Sequence, residues 1–267
     1  IAKSEVGEHW GFQFKRAGFD ALIIEGKAKD PVYLWIHNNE VEIKDARHLW
    51  GENTKETQGK IRSELGESKA RVAMIGPGGE NLVRYACIMH GPYDAAGRGG
   101  TGAVMGSKNL KALVIMGNKI EVPAADPESL KSLKQEISHL WKGDESGRYW
   151  NELTIEDIEK VKDSNCYGCP GICRRGIYQS KKGVRGYRKP CVSAYFYFQQ
   201  EMDKTGRMAE ATFYATQLAN KHGMCVLELR FLVNWLPEAL KRGLIDQNKT
   251  GLHLKDLGTS EWIEQLV

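Results

Sequence analysis

The sequence Gly91-Pro-Tyr-Asp-Ala-Ala-Gly-Arg-Gly-Gly-Thr-Gly-Ala-Val-Met-Gly-Ser-Lys108 decides how the first half of the chain folds. Six glycines in its first sixteen positions allow tight turns and a close approach of the backbone to other groups. Apolar runs of strand length flank it at 82–89 and 112–116. Further strands are expected at 20–25, 32–36, 40–43 and 71–75, with turns at Asn38-Asn39 and Gly76-Pro77-Gly78-Gly79 and one helix, 54–65, ending at Gly66. The first half is therefore expected to be mixed β with few helices.

The pattern changes at Pro123-Ala-Ala-Asp-Pro127, where Asp126 is suited to cap a helix and Pro127 to be its first residue. Helical periodicity follows at 127–141, 153–161, 208–222 and 227–241, and no strand longer than four residues is expected there. A cysteine-rich loop at 165–175 interrupts these helices. We therefore predict an α+β fold with two domains, a β-rich domain at 1–122 and a mostly α-helical domain at 123–267.

Charge and hydropathy exclude two classes of function. The net charge of +4 is small for 267 residues, and no run of Lys or Arg exceeds two, so a nucleic-acid partner is not expected. The longest apolar stretches, such as 110–116, fall short of the roughly 18–20 residues that a membrane span needs. No signal peptide is visible at the start of the chain, and clustered cysteines suit a reducing compartment, so a cytoplasmic location is expected.

The motif Cys166-Tyr-Gly-Cys169-Pro-Gly-Ile-Cys173 is the strongest chemical signal. Thiolates at this spacing can occupy three corners of a [4Fe–4S] cluster, with a fourth ligand from a distant segment. Zinc is the main alternative, although a zinc ribbon would need a second close cysteine pair. The other alternative is that the three thiols bind no metal. Two arginines directly after Cys173 would offset part of the negative charge of a cluster. The spacing of the three cysteines therefore favours an iron–sulfur cluster over a zinc site.

The glycine-rich stretch is the second signal. Its backbone N–H groups could approach an anion, and Arg98 and Lys108 could add charged hydrogen bonds to phosphate. It matches neither a P-loop nor the dinucleotide motif G-x-G-x-x-G, so a purely structural role stays open at this point. The remaining cysteines, Cys87, Cys191 and Cys225, suit core positions on sequence alone.

Together these motifs resemble the aldehyde ferredoxin oxidoreductase family of tungsten or molybdenum enzymes with a bis-pyranopterin cofactor. The resemblance is carried by 17–28 (AGFDALIIEGKA), 75–83 (IGPGGENLV), 95–100 (AAGRGG), 102–112 (GAVMGSKNLKA) and the cysteine triplet. Members of the family are more than twice as long. The chain is therefore expected to be an internal fragment of a divergent member, with part of each domain missing.

The resemblance implies that the pterins lie on the β-rich domain. It implies cofactor contacts at Glu5, Gly7, Ala95, Gly97 and Arg98, with the backbone carbonyls of Glu5 and Ala95 reaching a Mg²⁺ ion that links the pterin phosphates. In the helical domain, the matching pterin motif is Asn220-Lys-His-Gly-Met-Cys225, which implies contacts at Asn220, Met224 and Cys225.

Two departures from the family bear on the chemistry. Asp94 stands where Arg is usual, and a carboxylate beside phosphates would repel them unless it faces away. The glutamate that handles protons in relatives falls near Ser193, where no carboxylate occurs between Arg188 and Gln200. We expect either Cys191, in the same stretch, or a histidine from the missing C-terminal part to stand nearest the metal. Cys191 is favoured over Cys225, and a Cys191 that only packs in the core is the alternative.

The function that the resemblance implies is oxidation of an aldehyde to a carboxylic acid in an anaerobic organism. Electrons would pass through the [4Fe–4S] cluster to ferredoxin or a ferredoxin-like subunit, and a homodimer stays open. Two alternatives remain: a low-potential reductase subunit of the benzoyl-CoA reductase type, and a non-catalytic iron–sulfur relay that binds no pterin.

Overall fold

The computed structural model describes residues 2–91, 93–117, 123–142, 158–163, 166–168, 176–181, 185–188, 195–208 and 210–267. Six strands form the main sheet: β1 (Val32–His37), β2 (Glu40–Asp45), β3 (Arg71–Met74), β4 (Ile88–His90), β5 (Asp94–Ala96) and β6 (Leu110–Met116). Their order across the sheet is β2-β1-β6-β3-β4-β5. The pair β1 and β6 is parallel, and every other neighbouring pair is antiparallel.

Helices cover both faces of this sheet, which explains why β1 and β6 are apolar along most of their length. Successive residues of β1 point to opposite faces. Tyr33 and Trp35 belong to the core on the side of α2 (Thr54–Leu65), whereas Leu34 and Ile36 belong to the core on the side of α1 (Trp10–Arg16) and α4 (Thr101–Ser107). The edge strand β2 is exposed and carries charged side chains, which disfavour pairing with another sheet.

Local signals in the first half are confirmed where turns and caps decide the structure. Asn38 and Asn39 have φ angles of 46° and 70°, as a tight hairpin turn requires. The helix predicted at 54–65 has these bounds: Asn53 Oδ1 accepts the backbone N–H of Glu56 at its start, and Gly66 ends it with φ 66°.

Three predicted elements in the first half are wrong. The run 20–25 lies outside the sheet, because its residues pair with no strand. The predicted turn at 76–79 and the start of the predicted strand at 82–89 instead form a one-turn helix, α3 (Pro77–Glu80), and a loop, so that β4 begins only at Ile88. The glycine-rich stretch contains β5 and α4 as well as a turn.

The second half is mostly helical and includes one small sheet. Its elements are α5 (Pro127–Lys142), β7 (Ile158–Asp163), β8 (Gly176–Ser180), β9 (Arg185–Arg188), α6 (Phe198–Thr205), α7 (Glu210–His222), α8 (Val226–Lys241), α9 (Gln247–Thr250) and α10 (Ser260–Leu266). Buried residues of α7, α8 and α10 form one core, which includes Ala219, Leu229 and Trp262. Asp126 caps α5 through the backbone N–H of Ser129, as predicted. This mixture of a sheet with packed helices confirms the α+β class.

The prediction of a helix at 153–161 is wrong for its described part, because 158–161 belong to β7. The expectation that no strand exceeds four residues fails there too, since β7 has six residues and β8 has five. These strands pair with each other across the cysteine loop, a partner that helical periodicity does not reveal. The predicted boundary near 122 lies outside the described residues. None of the helices in the described ranges is long and apolar enough to cross a bilayer.

Candidate cofactor site

The turn between β5 and α4 has an unusual backbone. Arg98, Gly99 and Gly100 have φ angles of 63°, 67° and 65°, so three successive residues adopt the left-handed conformation. For Arg98 this conformation is costly, and such strain persists where surrounding contacts hold it. One of those contacts is the backbone N–H of Arg98, which donates to Cys225 Sγ at 3.3 Å. The Arg98 side chain is exposed.

The glycines of this stretch divide into two groups by what a side chain would meet. A Cβ on Gly102 would lie 2.6 Å from the carbonyl oxygen of Cys87, and one on Gly106 would overlap the carbonyl of Gly79, so these two glycines let α4 pack closely. A Cβ on Gly97 would lie 3.4 Å from Cys225 Sγ, and one on Gly99 would lie 3.0 Å from Cβ of Ala2. The second group borders the candidate site.

The segment before α1 lies along the same turn. The hydroxyl of Ser4 donates to the carbonyl of Gly97, and Ala2 lies beside Gly99. Glu5 is exposed and forms an ion pair with Lys3 at 2.7 Å. Residues 2–7 and 97–99 are therefore neighbours, although about ninety positions separate them in the sequence.

The start of the cysteine loop meets this segment. A Cβ on Gly7 would lie 3.4 Å from Cys166 Sγ. The backbone N–H of Tyr167 donates to the carbonyl of Glu8 at 3.3 Å, and the Tyr167 ring stacks on Phe12. Cys166 is partly exposed. Cys169, Cys173 and Cys191 lie outside the described residues.

The segment after α7 brings the helical half to the same place. The backbone N–H of Cys87 donates to the carbonyl of Gly223 at 2.8 Å, and that of Cys225 donates to the carbonyl of Tyr85 at 3.0 Å. A Cβ on Gly76 would lie 2.6 Å from both the carbonyl carbon and the carbonyl oxygen of His222, so the two segments touch backbone to backbone.

The three residues predicted in this segment differ in their surroundings. The Cys225 sulfur faces the Arg98 turn, as described above. Asn220 is buried, and its carbonyl accepts the hydroxyl of Thr54 at 2.9 Å. Met224 belongs to the hydrophobic core and lies beside Gly78. The structure therefore brings Cys225 to the turn and leaves the Met224 side chain packed in the interior.

Cys87 is a buried core residue, as predicted, and Lys108 contacts the Gly26 segment instead of the Arg98 turn. Burial raises the pKa of the Cys87 thiol well above its usual range, which keeps it protonated and unreactive. Lys108 Nζ donates to the carbonyl of Gly26 at 3.0 Å, at the opposite end of α4 from Arg98. Arg98 therefore supplies a cation at this turn, whereas Lys108 helps to fix the segment around Gly26.

Asp94 is turned into the protein. It alternates with Ala95 along β5, so that Asp94 is buried and Ala95 is exposed. It lies with Glu8 and His90 in a cluster whose ligand atoms are all within 4.8 Å of one another. Glu8 and His90 were not predicted from the sequence. The available signal was Gly91 and Pro92 between His90 and Asp94, because a tight turn there would place His90 opposite Asp94, as the strand register does.

The described residues fit an anionic cofactor. Gly99 is exposed, and within the described residues no protein acceptor receives its backbone N–H, so an anion could approach it. The Arg98 guanidinium can engage two phosphate oxygens. The carbonyls of Glu5 and Ala95, and the thiol of Cys225, come from the segments that meet at this turn. This donor set is suited to phosphates and the polar edge of a bound organic cofactor.

The chain is similar to a family model and to several known proteins. Residues 1–117 match the family model "Aldehyde ferredoxin oxidoreductase, N-terminal domain". A tungsten-containing aldehyde ferredoxin oxidoreductase of Pyrococcus abyssi is 46% identical over 285 residues, covering 94% of this chain and 46% of the relative. Its namesake from Pyrococcus furiosus is 48% identical over 144 residues, covering 54% of this chain and 24% of the relative.

A solved structure with a similar fold is the active site complex BamBC of benzoyl coenzyme A reductase in complex with 1,5-dienoyl-CoA. It superposes with a TM-score of 0.82 and 26% identity, covering 98% of this chain and 46% of that chain. The chain thus spans about half the length of the Pyrococcus abyssi relative and of the solved structure. From the motifs, the fold and these similarities, the chain belongs to the aldehyde ferredoxin oxidoreductase family.

Proposed function

We propose that the protein containing this chain is a tungsten- or molybdenum-pterin oxidoreductase that oxidises an aldehyde to a carboxylic acid. In this reaction water supplies the second carboxyl oxygen, and two electrons and two protons leave the aldehyde hydrate. The metal in its pterin would supply the two-electron redox chemistry when bound. The tungsten named in the relatives from Pyrococcus supports this metal, and molybdenum is held by the same kind of pterin.

The Arg98 turn is our proposed cradle for the pterin phosphates. Gly97 and Gly99 would let the phosphates approach the backbone, and Arg98 would pair with two phosphate oxygens. The carbonyls of Glu5 and Ala95 would reach the Mg²⁺ ion between the phosphates. The inward turn of Asp94 supports this assignment, because it removes a carboxylate from the exposed side of β5.

Cys166, Cys169 and Cys173 are our proposed ligands for a [4Fe–4S] cluster, with a fourth ligand from outside the chain. The observation that carries the proposal is the approach of Cys166 Sγ to Gly7, because it sets the first cysteine of the loop against the segment that borders the Arg98 turn. A cluster held by these cysteines would supply one-electron transfer between the cofactor and a ferredoxin-like partner. Since no dinucleotide motif occurs in the sequence, direct docking of a nicotinamide is not proposed.

Cys191 is our proposed catalytic side chain. The stretch between Arg188 and Gln200 has no carboxylate, and Cys191 is its only ionisable group apart from tyrosines and Lys189. If Cys191 acts near the metal, Cys191→Ser and Cys191→Ala should both lower viologen-linked turnover of the complete enzyme without changing its metal content. Wild-type rates in both variants would remove it from the mechanism.

A low-potential reductase is the second candidate. It is favoured by the fold match to the benzoyl coenzyme A reductase complex over 98% of the chain. It also fits the missing carboxylate, since a reductase need not use the same general acid or base as an aldehyde oxidase. Assays of the complete protein with reduced viologen and an aryl-CoA thioester, against oxidised viologen and an aldehyde, separate the two directions.

Metal analysis of the complete protein tests the proposal first. Tungsten or molybdenum together with about four irons per chain is the expected result, and iron alone would instead indicate a relay protein. Cys169→Ala should lose the cluster's EPR signal in the reduced protein, whereas Cys87→Ala, which removes a core thiol, should keep it.

Arg98→Ala should lower the tungsten or molybdenum content. Arg230→Ala, which removes an exposed arginine from α8, is the matched control. An Arg98 variant with the same metal content as the control would refute the phosphate contact.

A further inference from the structure

Glu8, His90 and Asp94 form a second cluster of metal-binding side chains, apart from the cysteine loop. One ligand atom of each lies within 4.8 Å of the others, and Glu8 Oε2 lies 3.5 Å from His90 Nδ1. The strand register explains half of this arrangement. His90 of β4 is the direct antiparallel partner of Asp94 of β5, so their side chains stand on the same face of the sheet.

Glu8 reaches the pair from the segment before α1. Its own φ is 75°, a left-handed conformation that is uncommon for a residue with a side chain. The neighbouring contact, in which the Glu8 carbonyl accepts the backbone N–H of Tyr167, ties the same residue to the cysteine loop. Three segments that are distant in sequence thus converge at this cluster.

The burial of the cluster makes its charge important. The side chains of His90 and Glu8 are only 3% and 8% exposed, and Asp94 is buried too. Two carboxylates that share a buried site repel each other, and a divalent cation placed between them would offset that repulsion and could accept the imidazole nitrogen as a ligand.

We propose that Glu8, His90 and Asp94 bind one divalent first-row transition-metal ion of the Zn²⁺ type. One imidazole nitrogen with two carboxylate oxygens is a donor set that suits Zn²⁺, Mn²⁺ or Fe²⁺. Mg²⁺ prefers oxygen ligands alone and keeps several waters, so the histidine argues against it. Three protein ligands leave at least one position for water, as in other open zinc sites.

This site differs from the Mg²⁺ position proposed above. That position uses the backbone carbonyls of Glu5 and Ala95 together with pterin phosphates, whereas this cluster consists of side chains on the buried side of β5. It therefore needs no pterin and does not rest on the proposed function. Because Glu8 adjoins Gly7, a bound ion would fix the segment against which Cys166 lies.

The test measures metal bound by the complete protein, produced once with tungstate and molybdate in the medium and once without them. After dialysis against Zn²⁺ and then against buffer, elemental analysis should find about one Zn²⁺ per chain in both preparations. Co²⁺ in place of Zn²⁺ should give visible absorption bands in the same stoichiometry. The preparation without tungsten or molybdenum separates this proposal from the proposed function, because only this proposal predicts Zn²⁺ binding there.

The variants Glu8→Gln, His90→Gln and Asp94→Asn should each lose the bound Zn²⁺ and the Co²⁺ bands. His37→Asn is the matched control, because His37 lies 2.7 Å from Glu42 and 3.9 Å from Glu40 on the exposed hairpin and is absent from the described three-residue clusters. Circular dichroism identifies any variant that fails to fold. The measurement of Zn²⁺ bound by the wild-type protein tests the proposal even if a variant does not fold. Wild-type protein without the ion, or folded variants that keep it, would overturn the proposal.

Discussion

Gly76→Ala tests the junction on which the candidate site depends. Gly76 follows β3 and packs against the backbone of the segment that ends in Cys225. A Cβ here would lie 2.6 Å from the carbonyl carbon and oxygen of His222 and 2.8 Å from the carbonyl oxygen of Lys221. These are backbone atoms, so no side-chain rotation can relieve the overlap.

The expected loss of stability follows from two opposing effects. Forcing an extra methyl group into a packed site costs about 1–3 kcal/mol. Alanine also restricts the unfolded chain, which returns about 0.4–1 kcal/mol. The backbone of Gly76, with φ −96° and ψ −172°, is open to alanine, so strain adds nothing. The free energy of unfolding should therefore fall by about 1.3 kcal/mol at the middle of these ranges and by about 2.6 kcal/mol at most. The middle value lowers Tm by roughly 3–5 °C in a chain of this size.

Urea unfolding followed by circular dichroism measures this loss. The control is Gly59→Ala, since Gly59 lies inside α2 with nothing within 4 Å of its added Cβ. That variant should gain about 0.5–1 kcal/mol, because alanine is favoured over glycine in a helix interior. A Gly76 variant that unfolds at the wild-type urea concentration or above would refute the close backbone contact between Gly76 and His222.

Three further predictions concern buried charge, pH and the cysteine loop. Lys111 and Glu80 form an ion pair in which both side chains are almost fully buried. Glu80→Gln should therefore lower the free energy of unfolding by about 3–5 kcal/mol, because it leaves the lysine charge unpaired. The double variant Glu80→Gln/Lys111→Met should recover part of this loss, and urea unfolding measures both effects. Burial, and to a smaller extent the neighbouring Lys221, lowers the pKa of His222 below 6.5. The neutral His222 side chain therefore contributes its full stability above pH 6.5, and this contribution is lost as the pH falls through the lowered pKa. Unfolding curves at descending pH should therefore show a smaller loss for His222→Gln than for wild type, and equal losses would contradict this. Phe12→Ala removes the ring that stacks on Tyr167, a contact worth about 0.5–1.5 kcal/mol. A chelator should therefore remove iron from this variant roughly two- to tenfold faster than from wild type. An unchanged rate would show that the Phe12 ring does not hold the cysteine loop.

The sequence was sufficient wherever structure depends on a few adjacent residues. The hairpin turn at Asn38-Asn39, the helix bounded by Asn53 and Gly66, and the start of α5 at Pro127 were all predictable. Each depends on a local preference, such as tolerance of a positive φ or a side chain that caps a helix end. The ordered motifs were likewise sufficient to predict the family, because they match it by residue identity.

Only the tertiary structure decided which segments distant in the sequence contact each other. The segment at 85–87 looked like a continuation of a strand, but it pairs with 223–225 and so joins the two halves of the chain. The β7 strand looked helical because its partner, β8, lies beyond the cysteine loop. The cluster of Glu8, His90 and Asp94 could not be predicted, because Glu8 lies about eighty positions before the other two. A residue's own sequence neighbourhood fixes its backbone preference, whereas the partner of a buried N–H or carboxylate is fixed only when distant segments pack together.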